Sequence, residues 1–507
     1  MANLLILILL ALSTLSGNLA GFLSIDCGSS TVYSDEGWIG DEAYIQNGES
    51  KRVQSGNSVS QVMDTLRVFS SRNKNCYSLV AKKGERVLVR ASFYYGNYDH
   101  KSSPPTFALQ FDGNPWATVV TSSDLVIYYE AIYAVKGDTT SVCVAQTQAN
   151  QFPFISALEM ASLGSNMYSS LDSNYALFLR RRFAFGANEI IRFQRDAYDR
   201  IWVPGVAVNG LIAVTSDALV IDSTAAKDVP PQAVLQNAIT TLSTSESIII
   251  GTNLPAVKVL IYINAYFSEV TTLDSTQKRS LEINLDDKPV SNPIVPPYQK
   301  VLEVTITNLT ASSNNNLSLV ATSDSTLPPL INALEIFSIS NELTDGTDSN
   351  DVGQLGSLQV LYPILRQWGG DPCLPSPFTW DWVNCSTDAT PRVTALYLSG
   401  FELNGSFPDL SSMDALEIID LHNNSLEGDI PDYLGTMPNL KQLNLADNDF
   451  SGTLPTSISN NKNLKLIATG NKNLCVSGKS CQTSDTNTGN KNLFIYVVVP
   501  TFLLVWK

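Results

Sequence analysis

The stretch PFISALEMASL (Pro153–Leu163) returns later in the chain as PLINALEIFSI (Pro329–Ile339). Both copies open on proline and carry the triplet Ala-Leu-Glu inside an apolar run. Their residues alternate in the way that a half-buried strand requires. A chain that uses the same strand twice, far apart, indicates an internal duplication.

Two further pairs of segments support the duplication. RVLVRASFYY (Arg86–Tyr95) matches KVLIYINAYF (Lys258–Phe267), and FALQFDG (Phe107–Gly113) matches LEINLDD (Leu281–Asp287). The pairs keep the same order and nearly the same separation. Short β-rich runs divided by the polar turns KKGE, FDGN and VKGD are typical of sandwiches or barrels. We therefore predict an all-β region over 22–340, with two lobes over about 22–165 and 185–340.

The segment between the lobes is rich in arginine and aromatic residues. It reads RRRFAFGANEIIRFQRDAYDRIWVP (Arg180–Pro204). Flexible linkers are rich in glycine and serine instead. The composition predicts an ordered bridge that packs on both lobes.

A different repeat, with a period of about 24 residues, occupies 393–474. ALYLSGFELNGSFP, IIDLHNNSLEGDIP and QLNLADNDFSGTLP align without gaps, and NLKLIATGNKNLC is a partial fourth copy. Asn424 and Asn448 fill the asparagine position, where the first copy has Phe401. This is the pattern of leucine-rich repeats, in which the leucines enter the core and the asparagine satisfies backbone groups.

The polar, acidic stretch that begins near residue 341 marks the boundary before the repeats. We predict a linker with a short helix over 341–368, because Asp351 and Gln354 have capping-box spacing and leucines follow at helical spacing (Leu355, Leu358, Leu361 and Leu365). Pro363 is expected to end or kink this helix. The segments 369–392 and 475–481, each with two cysteines, are expected to cap the repeats.

The charge of the chain excludes one class of partner. The formal net charge is −16, and only 16% of the residues are charged. Nucleic-acid binding needs clustered lysine and arginine, so no nucleic-acid partner is expected. Two local clusters, Arg180–Arg182 and the group Lys82, Lys83, Arg86 and Arg90, are interpreted as solvated strand edges rather than as binding patches.

Both chain ends carry apolar stretches. Residues 1–20 have the length and order of a secretory signal peptide. Residues 493–507, after a polar spacer over 482–492, are too short to span a bilayer. They fit a truncated transmembrane segment or a removable anchor signal, with a buried core segment as the alternative. We expect a protein of the secretory pathway, at the plasma membrane with its ectodomain outside, or secreted if this segment does not anchor it.

Cysteines and glycosylation acceptors agree with an oxidising compartment. Spacing favours the local pairs Cys373–Cys385 and Cys475–Cys481. Of the remaining cysteines we pair Cys76 with Cys143, which leaves Cys27 unpaired. Five Asn-x-Ser/Thr triplets mark glycosylation acceptors at Asn308, Asn316, Asn384, Asn404 and Asn423.

Together these features resemble plant malectin-like leucine-rich-repeat receptor kinases. The matching motifs are SIDCGSS, FYYGNYD, YDRIWVP, WGGDPCLP and WDWVNC, besides the two Ala-Leu-Glu strands. The resemblance implies a mainly β fold, with two tandem malectin-like β-sandwich lobes followed by a short leucine-rich-repeat solenoid. The sequence has no kinase Gly-rich loop, VAIK-like lysine, HRD or DFG motif. No kinase activity is therefore expected, and the chain corresponds to the ectodomain of a receptor-like protein or to a truncated gene product.

The first lobe has an aromatic loop of the kind that stacks on sugars. Malectin is similar in this respect, since aromatics and an Asp lie at one end of its sandwich. The alternative, that these rings pack the sandwich or the lobe interface, is favoured. The candidate ligand residues are Tyr94, Tyr95, Tyr98 and Asp99, followed by Trp38 and Tyr44.

The repeats offer a second surface, because side chains between the leucines of each strand face outward. A polar stripe there fits a peptide or a partner ectodomain, and a solvated face is an equal alternative. The stripe consists of Tyr397, Asp420, His422, Gln442 and Asn444. Histidine changes charge between pH 5 and 8, so His422 suggests pH-dependent partner binding.

The sequence therefore predicts a non-enzymatic recognition protein. It would bind a cell-wall carbohydrate or a secreted peptide and recruit a co-receptor. A structural or decoy ectodomain is the alternative, and a carbohydrate-active enzyme ranks last, because no spacing singles out a catalytic pair. Without CxxC or His-rich clusters, no metal is expected, and no cofactor motif is present.

Overall fold

A computed structural model describes residues 21–30, 37–205 and 210–475. Most of the regular structure is β-strand, as the sequence predicts. The chain divides into two compact units, the first ending at Tyr397 and the second beginning at Leu398. The predicted signal peptide (1–20) and the C-terminal segments over 482–492 and 493–507 lie outside the described residues.

The first unit begins with a lobe built of short strands. We call Phe22–Ser162 the first lobe. Its strands are β1 (Phe22–Asp26), β2 (Trp38–Gly40), β3 (Glu49–Arg52), β4 (Thr65–Val68), β5 (Lys74–Val80), β6 (Arg86–Phe93), β7 (Thr106–Phe111), β8 (Asn114–Val120), β9 (Ile127–Ala134), β10 (Thr139–Ala145), β11 (Phe154–Ile155) and β12 (Ala157–Ser162). Single 3₁₀ turns occupy Ser55–Asn57 and Gln61–Asp64.

The second lobe, Leu177–Ile339, has the same number of strands. They are β13 (Leu177–Phe185), β14 (Val203–Gly205), β15 (Leu211–Thr215), β16 (Asn237–Thr241), β17 (Ile248–Ile250), β18 (Val259–Phe267), β19 (Leu281–Leu285), β20 (Lys288–Pro289), β21 (Leu302–Ala311), β22 (Leu317–Ala321), β23 (Leu330–Ile331) and β24 (Ala333–Ile339). The short helix α1 (Gln232–Leu235) precedes β16.

The two lobes share one topology. In the first lobe the strand orders are β2-β1-β12-β6-β9, β5-β10-β7-β8 and β3-β4-β11. In the second lobe they are β14-β13-β24-β18-β21, β17-β22-β19-β20 and β15-β16-β23. Each strand of one lobe therefore has a counterpart in the other, and the repeated Ala-Leu-Glu segments are the matching strands β12 and β24.

The larger sheets of the two lobes join edge to edge. Strand β9 pairs with β13 through Ala131 and Ile132, opposite Phe178 and Leu177. The result is one ten-stranded sheet that runs through both lobes. The start of the predicted bridge, Arg180–Phe185, is thus part of the first strand of the second lobe, and this strand itself makes the contact with the first lobe.

One glycine recurs at the same place in both lobes. Gly28 and Gly186 follow β1 and β13, and both have positive φ, at 78° and 72°. A Cβ on Gly28 would lie 2.3 Å from the Leu66 carbonyl oxygen, and one on Gly186 would lie 2.7 Å from that of Ala238. Only glycine allows the neighbouring strand to approach this closely.

The linker before the repeats contains the predicted helix, α2 (Ser349–Leu361), with a corrected start. Asp348 is the N-cap, because its side chain accepts hydrogen bonds from the backbone N–H groups of Asn350 and Asp351. Asp351 instead lies buried in the first turn and pairs with Arg392 at 2.9 Å. Leu355, Leu358 and Leu365 are buried as predicted, whereas Leu361 is exposed. Pro363 begins a 3₁₀ turn over Pro363–Gln367.

The WGGDPC segment docks on the first lobe. Lys74 is buried and donates hydrogen bonds to the carbonyl oxygens of Asp371 (2.6 Å), Leu374 (2.5 Å) and Phe378 (3.2 Å). Burial lowers the pKa of Lys74 to about 8. A Cβ on Gly370 would lie 2.6 Å from the Sγ of Cys76, so this glycine lets the segment approach the Cys76–Cys143 disulfide. The first unit then ends with the paired strands β25 (Val383–Cys385) and β26 (Val393–Tyr397).

The second unit is a stack of parallel strands, as leucine-rich repeats require. Two sets alternate along the chain, with a 3₁₀ turn at Asp432–Gly435 and a short helix α3 (Thr456–Ser459) between repeats. The strands are β27 (Asn404–Ser406), β28 (Ile418–Asp420), β29 (Ser425–Asp429), β30 (Gln442–Asn444), β31 (Asp449–Thr453), β32 (Lys465–Ile467) and β33 (Asn473–Cys475).

A ladder of asparagines holds successive repeats together. The Nδ2 of Asn448 donates to the carbonyl oxygens of Leu421, Leu445 and Ala446, and its Oδ1 accepts from the backbone N–H of Leu426 at 3.0 Å. Asn424 makes the equivalent contacts one repeat earlier. Asn471, in the partial fourth copy, makes them one repeat later.

We expect Asn448→Ala to lower the free energy of unfolding of the second unit by about 2–3 kcal/mol, because it leaves buried backbone groups without partners. Denaturant unfolding followed by circular dichroism would measure this loss. Asn463→Ala, at an exposed position of the same unit, is the control and should change stability by less than about 0.5 kcal/mol. Equal losses in the two variants would contradict the role assigned to the ladder.

Among the described residues, no helix is both long and apolar enough to cross a membrane. The same part of the chain contains no group of three or more His, Cys, Asp or Glu residues that could hold a metal ion.

Candidate functional site

The aromatic residues proposed to stack on a sugar lie mostly inside the first lobe. Tyr94 is 2% exposed and Tyr95 is fully buried. The hydroxyl of Tyr94 donates to the carbonyl oxygen of Asn57 at 2.6 Å. The hydroxyl of Tyr95 donates to Asp99 at 2.5 Å. These two rings pack the core of the lobe, which agrees with the favoured alternative, and their role in ligand binding stays a prediction.

The other members of this set are only partly accessible. Tyr98 packs edge-on against Tyr95, with ring centroids 5.5 Å apart. Asp99 is committed to the Tyr95 hydroxyl, as above. Trp38 and Tyr44 are half-buried, on β2 and on the loop that follows it. The structure therefore does not bring the six residues together as one exposed surface.

The two glutamates of the repeated Ala-Leu-Glu strands belong instead to a buried cluster of charged side chains. Glu159 on β12 and Glu335 on β24 occupy the same position in the two lobes and are both buried. A buried carboxylate in an apolar strand needs a cation as partner. Arg90 lies 3.2 Å from Glu159, and Arg182 lies 2.6 Å from Glu335.

Glu130 of β9 links the two arginines. Its Oε2 lies 3.1 Å from Arg90 and its Oε1 lies 2.6 Å from Arg182. Asp199 adds a second contact to Arg90, at 3.2 Å. We call these six residues the junction network, since they connect the two lobes: Arg90, Glu130, Glu159, Arg182, Asp199 and Glu335.

The interpretation of Arg90 and of the Arg180–Arg182 run as solvated strand edges is wrong for two residues. Arg90 is 1% and Arg182 is 2% exposed. Only Arg181 of the run is exposed, because side chains alternate along β13. The recurring glutamate inside each apolar strand was the sequence signal that could have indicated buried partners.

Charge pairing decides the protonation of the network. Burial alone would raise the pKa of Glu130, but Arg182 and Arg90 hold it below its ordinary value. Burial likewise opposes ionisation of Asp199, but the hydrogen bond from Arg192 together with the charges of Arg90 and Arg192 outweighs it, so the pKa of Asp199 is lowered. Glu130 and Asp199 are therefore held in the charged form, whereas burial raises the pKa of Glu159 in spite of Arg90.

An open cleft adjoins the network, and its walls are formed by the segment between the two lobes and by residues of the second lobe. Its volume is about 640 Å³. One wall is the segment that follows β12, another carries Tyr198, and the third is the loop over 224–229; the last two belong to the second lobe. We call this the junction cleft, and it is lined by Gly164–Met167, Ser169, Tyr198, Thr224–Lys227 and Val229. Lys227 is the one charged side chain among these lining residues.

The cleft walls are fastened to buried polar groups beneath them. Tyr168, between two lining residues, donates its hydroxyl hydrogen bond to Glu335 at 2.9 Å. Arg200 donates to the carbonyl oxygens of Asp228 and Val229, both at 2.7 Å. Asp228 accepts from the backbone N–H of Tyr168 at 2.5 Å and so joins the first wall to the third. Burial, reinforced by Glu303, raises the pKa of Asp228 to about 7.

The polar stripe predicted on the repeats is partly assembled in the second unit. His422 Nδ1 lies 2.7 Å from Asp420 Oδ1 and 3.2 Å from the Asn444 side-chain amide. Gln442 is half-buried beside them on β30. Tyr397 belongs to the first unit, at the end of β26, and is 41% exposed.

The covalent and modification sites have a definite geometry. Cys76 pairs with Cys143, and Cys373 pairs with Cys385. Cys27 is buried and free, while the partner proposed for Cys475, Cys481, lies outside the described residues. All five predicted glycosylation acceptors are exposed: Asn308, Asn316, Asn384, Asn404 and Asn423.

Comparison with known proteins decides the family. A family model described as malectin-like domain matches residues 25–339, and the leucine-rich-repeat model matches 415–437 and 439–461. The chain belongs to the malectin-like, leucine-rich-repeat receptor family. The malectin-like match covers more than half of the chain and spans both lobes.

Relatives of this malectin-like protein include probable plant receptor-like kinases. An uncharacterised protein of Arabidopsis thaliana is 37% identical over 68% of this chain and 70% of its own length. A probable leucine-rich-repeat receptor-like serine/threonine-protein kinase of the same plant is 32% identical over 78% of this chain. The match covers 48% of that kinase, so this malectin-like protein spans about half the length of the receptor kinases that it matches.

Solved structures agree on the fold. The ANX2 ectodomain from Arabidopsis thaliana superimposes with a TM-score of 0.55 at 16% identity, over 63% of this chain and 97% of that one. A chain from the crystal structure of the plant peptide RALF23 in complex with FER and LLG2 gives a TM-score of 0.53 at 17% identity, over 63% and 96%. At these identities the likeness concerns the fold alone.

Proposed function

We propose that this malectin-like protein acts outside the cell as the recognition module of a receptor-like protein, and that it binds a secreted peptide in the junction cleft. The observation that carries the proposal is the placement of the aromatic rings. Two of the rings expected to stack on a sugar, Tyr94 and Tyr95, are committed to the core, whereas the junction cleft is open. Its volume is within the range of roughly 300–1,000 Å³ that is usual for ligand sites.

The lining of the cleft suits a peptide better than a flat sugar ring. It offers short hydroxyl and amide side chains, the half-buried ring of Tyr198, and the ammonium group of Lys227. Lys227 would bind a carboxylate, either an acidic side chain or a free C-terminus. The walls are held by hydrogen bonds to buried polar groups, so little ordering is needed on binding, and preorganisation of this kind increases affinity.

A fold relative supports the same class of ligand. The crystal structure of the plant peptide RALF23 in complex with FER and LLG2 contains a peptide and a third protein beside FER. By analogy, we propose that the stripe of Asp420, His422, Gln442 and Asn444 recruits a co-receptor ectodomain. Its polar, half-exposed side chains fit the rim of a transient interface better than a hydrophobic core.

The extracellular location rests on several features of the chain. The two disulfides are suited to an oxidising compartment, and all five glycosylation acceptors are exposed, so glycans would fit without disturbing the core. We propose attachment to the plasma membrane through the C-terminal segment, or secretion if this segment does not anchor the chain.

The test is selection from a library of displayed peptides with free C-termini, in parallel with a plant cell-wall glycan array. Peptides that the wild type selects should lose affinity at least about tenfold, or 1.4 kcal/mol, in Lys227→Glu and in Tyr198→Ala. Isothermal calorimetry would measure the loss. Lys288→Glu, an exposed lysine on the short strand β20, is the matched charge control and should bind normally.

Two outcomes would reject the peptide proposal. One is binding to glycans with no peptide selected. The other is selection of peptides that bind the Lys227→Glu and Lys288→Glu variants equally well, which would place the peptide site outside the junction cleft.

A further inference from the structure

The last strand of the large sheet has a pairing partner at its outer edge in the first lobe but not in the second, among the residues that the structure describes. In the first lobe, the outer edge of β9 pairs with β13 through Ala131 and Ile132. That pairing joins the two lobes. The edge of a malectin-like lobe is therefore able to accept an added strand, and the chain itself supplies the example.

Strand β21 is the counterpart of β9 in the second lobe. Arg90 of β6 faces Glu130 of β9, and the matching Asn264 of β18 faces Thr305 of β21. This register makes Ile306 the equivalent of Ala131. Strand β21 ends the ten-stranded sheet, and no strand of the described residues pairs with its outer edge. An open edge of this length is a template for pairing with another chain.

A β-bulge interrupts β21 at the position where β9 accepts its partner. Ile263 faces Ile306, whereas Ile261 faces Leu309, so Thr307 and Asn308 together oppose one residue of β18. Asn308 has a φ of 63° and is exposed. Bulges of this kind twist an edge strand and break the row of hydrogen-bonding groups that a partner would need.

Asn308 is also the acceptor of the triplet Asn308-Leu309-Thr310. We propose that Asn308 carries an N-linked glycan, and that the bulge and this glycan together close the free edge of the second lobe against a second copy of the chain. The inference rests on the proposed extracellular route, because the glycan is added in the secretory pathway.

The modification is an ordinary N-glycosylation in its chemistry. The Asn308 side-chain amide loses one proton from Nδ2 and attacks the anomeric carbon of a lipid-diphosphate-linked oligosaccharide. A C–N bond forms, the C–O bond to the diphosphate breaks, and the lipid diphosphate leaves with the bonding electron pair. The attached glycan then projects from the edge at the position where β13 meets β9 in the first lobe.

The test uses the full chain secreted from a eukaryotic host, with occupancy measured by glycopeptide mass spectrometry. Thr310→Ala removes the acceptor triplet but keeps Asn308 and its bulge, and Asn308→Gln removes the acceptor itself. Asn316→Gln, which removes a neighbouring exposed acceptor outside β21, is the matched control. Light scattering after gel filtration would report the weight-average mass as concentration rises.

We expect Asn308 to be occupied, and wild type and Asn316→Gln to keep the mass of a monomer. Thr310→Ala and Asn308→Gln should approach a twofold mass at high concentration, with slower hydrogen exchange along β21. Enzymatic removal of glycans from folded wild type should produce the same shift and should leave Thr310→Ala unchanged. This arm does not depend on how well a variant folds.

Three outcomes would overturn the inference. If the other acceptors carry glycans while Asn308 does not, the edge is not protected by a glycan, and the extracellular proposal stands. If Asn308 is occupied but both variants and the enzymatically treated protein stay monomeric, the glycan does not guard the edge. If no acceptor is occupied, both this inference and the proposed extracellular route fail.

Discussion

Replacing Arg182 by methionine should lower the free energy of unfolding of the first unit by about 3–5 kcal/mol, the usual cost of removing one partner from a buried ion pair. Arg182 lies between Glu130 of the first lobe and Glu335 of the second, at 2.6 Å from each. Methionine would fill much of the space but would leave both carboxylates without this cation. Glu335 would keep only the hydroxyl groups of Tyr168 and Tyr266 as partners.

The neighbouring residue supplies the control. Arg181 is on the same strand but points to solvent, so Arg181→Met removes the same charge from an exposed position. Surface substitutions of this kind change stability by about 0.5 kcal/mol or less. Denaturant titration followed by tryptophan fluorescence would compare the two, and Trp202 stacks near Arg182, with the guanidinium carbon 5.7 Å from the ring centroid. A loss in Arg182→Met no greater than in Arg181→Met would show that the junction network does not hold the lobes together.

The duplicated fold could be predicted from the sequence because the pattern of strands repeats along the chain. The sequence alignment of β6 with β18 is nevertheless shifted by two residues from the correspondence that the structure shows. The aligned segments set Ser92 against Asn264, whereas the register with β12 and β24 sets Ser92 against Tyr266. Side chains alternate between the two faces of a strand with a period of two residues. An alignment error of two residues therefore leaves every side chain on its own face, and the apolar pattern does not reveal the error.

The buried network could not be predicted from local pattern. Three arginines in a row look like a solvated edge, and nothing nearby in sequence reveals that the middle of β9 supplies the carboxylate for Arg182. The partners come together only because β9 and β13 are neighbours in the sheet. The asparagine ladder, by contrast, could be predicted from the sequence. Each asparagine contacts its own repeat and the one before it, and the repeat period gives the positions of both partners.

The cap of α2 shows a smaller limit of the same kind. The segment contains Asp345, Asp348 and Asp351, and each of these could cap a helix by sequence alone. Pairing of Asp351 with Arg392, which is remote in sequence, removes it from the choice and leaves Asp348 as the cap. Tertiary contacts therefore decided the boundary.

Asp228→Asn should make the first unit more stable than wild type at neutral pH. Burial, followed by the nearby Glu303, raises the pKa of Asp228 to about 7, against 3.8 in the unfolded chain. Arg200 is also close, but it donates to the backbone carbonyl of Asp228 rather than to its carboxylate. The folded protein therefore keeps a proton on Asp228 between pH 4 and 7, while the unfolded chain has lost it.

The sign of the pH dependence follows from proton linkage. Where the folded state binds more protons, the free energy of unfolding falls as pH rises, by at most about 1.4 kcal/mol per pH unit for one group. Between pH 4 and 7, ionisation of Asp228 should thus lower the free energy of unfolding of wild type by up to about 4 kcal/mol. Asparagine has the shape of the protonated acid and does not titrate, so the gap between variant and wild type should widen steadily over this range.

Denaturant titrations at half-unit steps from pH 4 to 7.5 would measure the gap, and the control is Asp222→Asn. Asp222 is exposed in the same loop, and the hydrogen bond from Thr224 lowers its pKa. Replacing Asp222 by asparagine should therefore give no gain in the free energy of unfolding that grows with pH. Parallel curves for Asp228→Asn and wild type would mean that Asp228 is charged in the fold. The predicted curves would instead mean that Asp228, which joins two walls of the junction cleft, is protonated in the fold below about pH 7 and that its ionisation destabilises the fold. The hydrogen bond from the backbone N–H of Tyr168 favours the ionised form, so the loss of stability comes from burial and from Glu303 rather than from this contact.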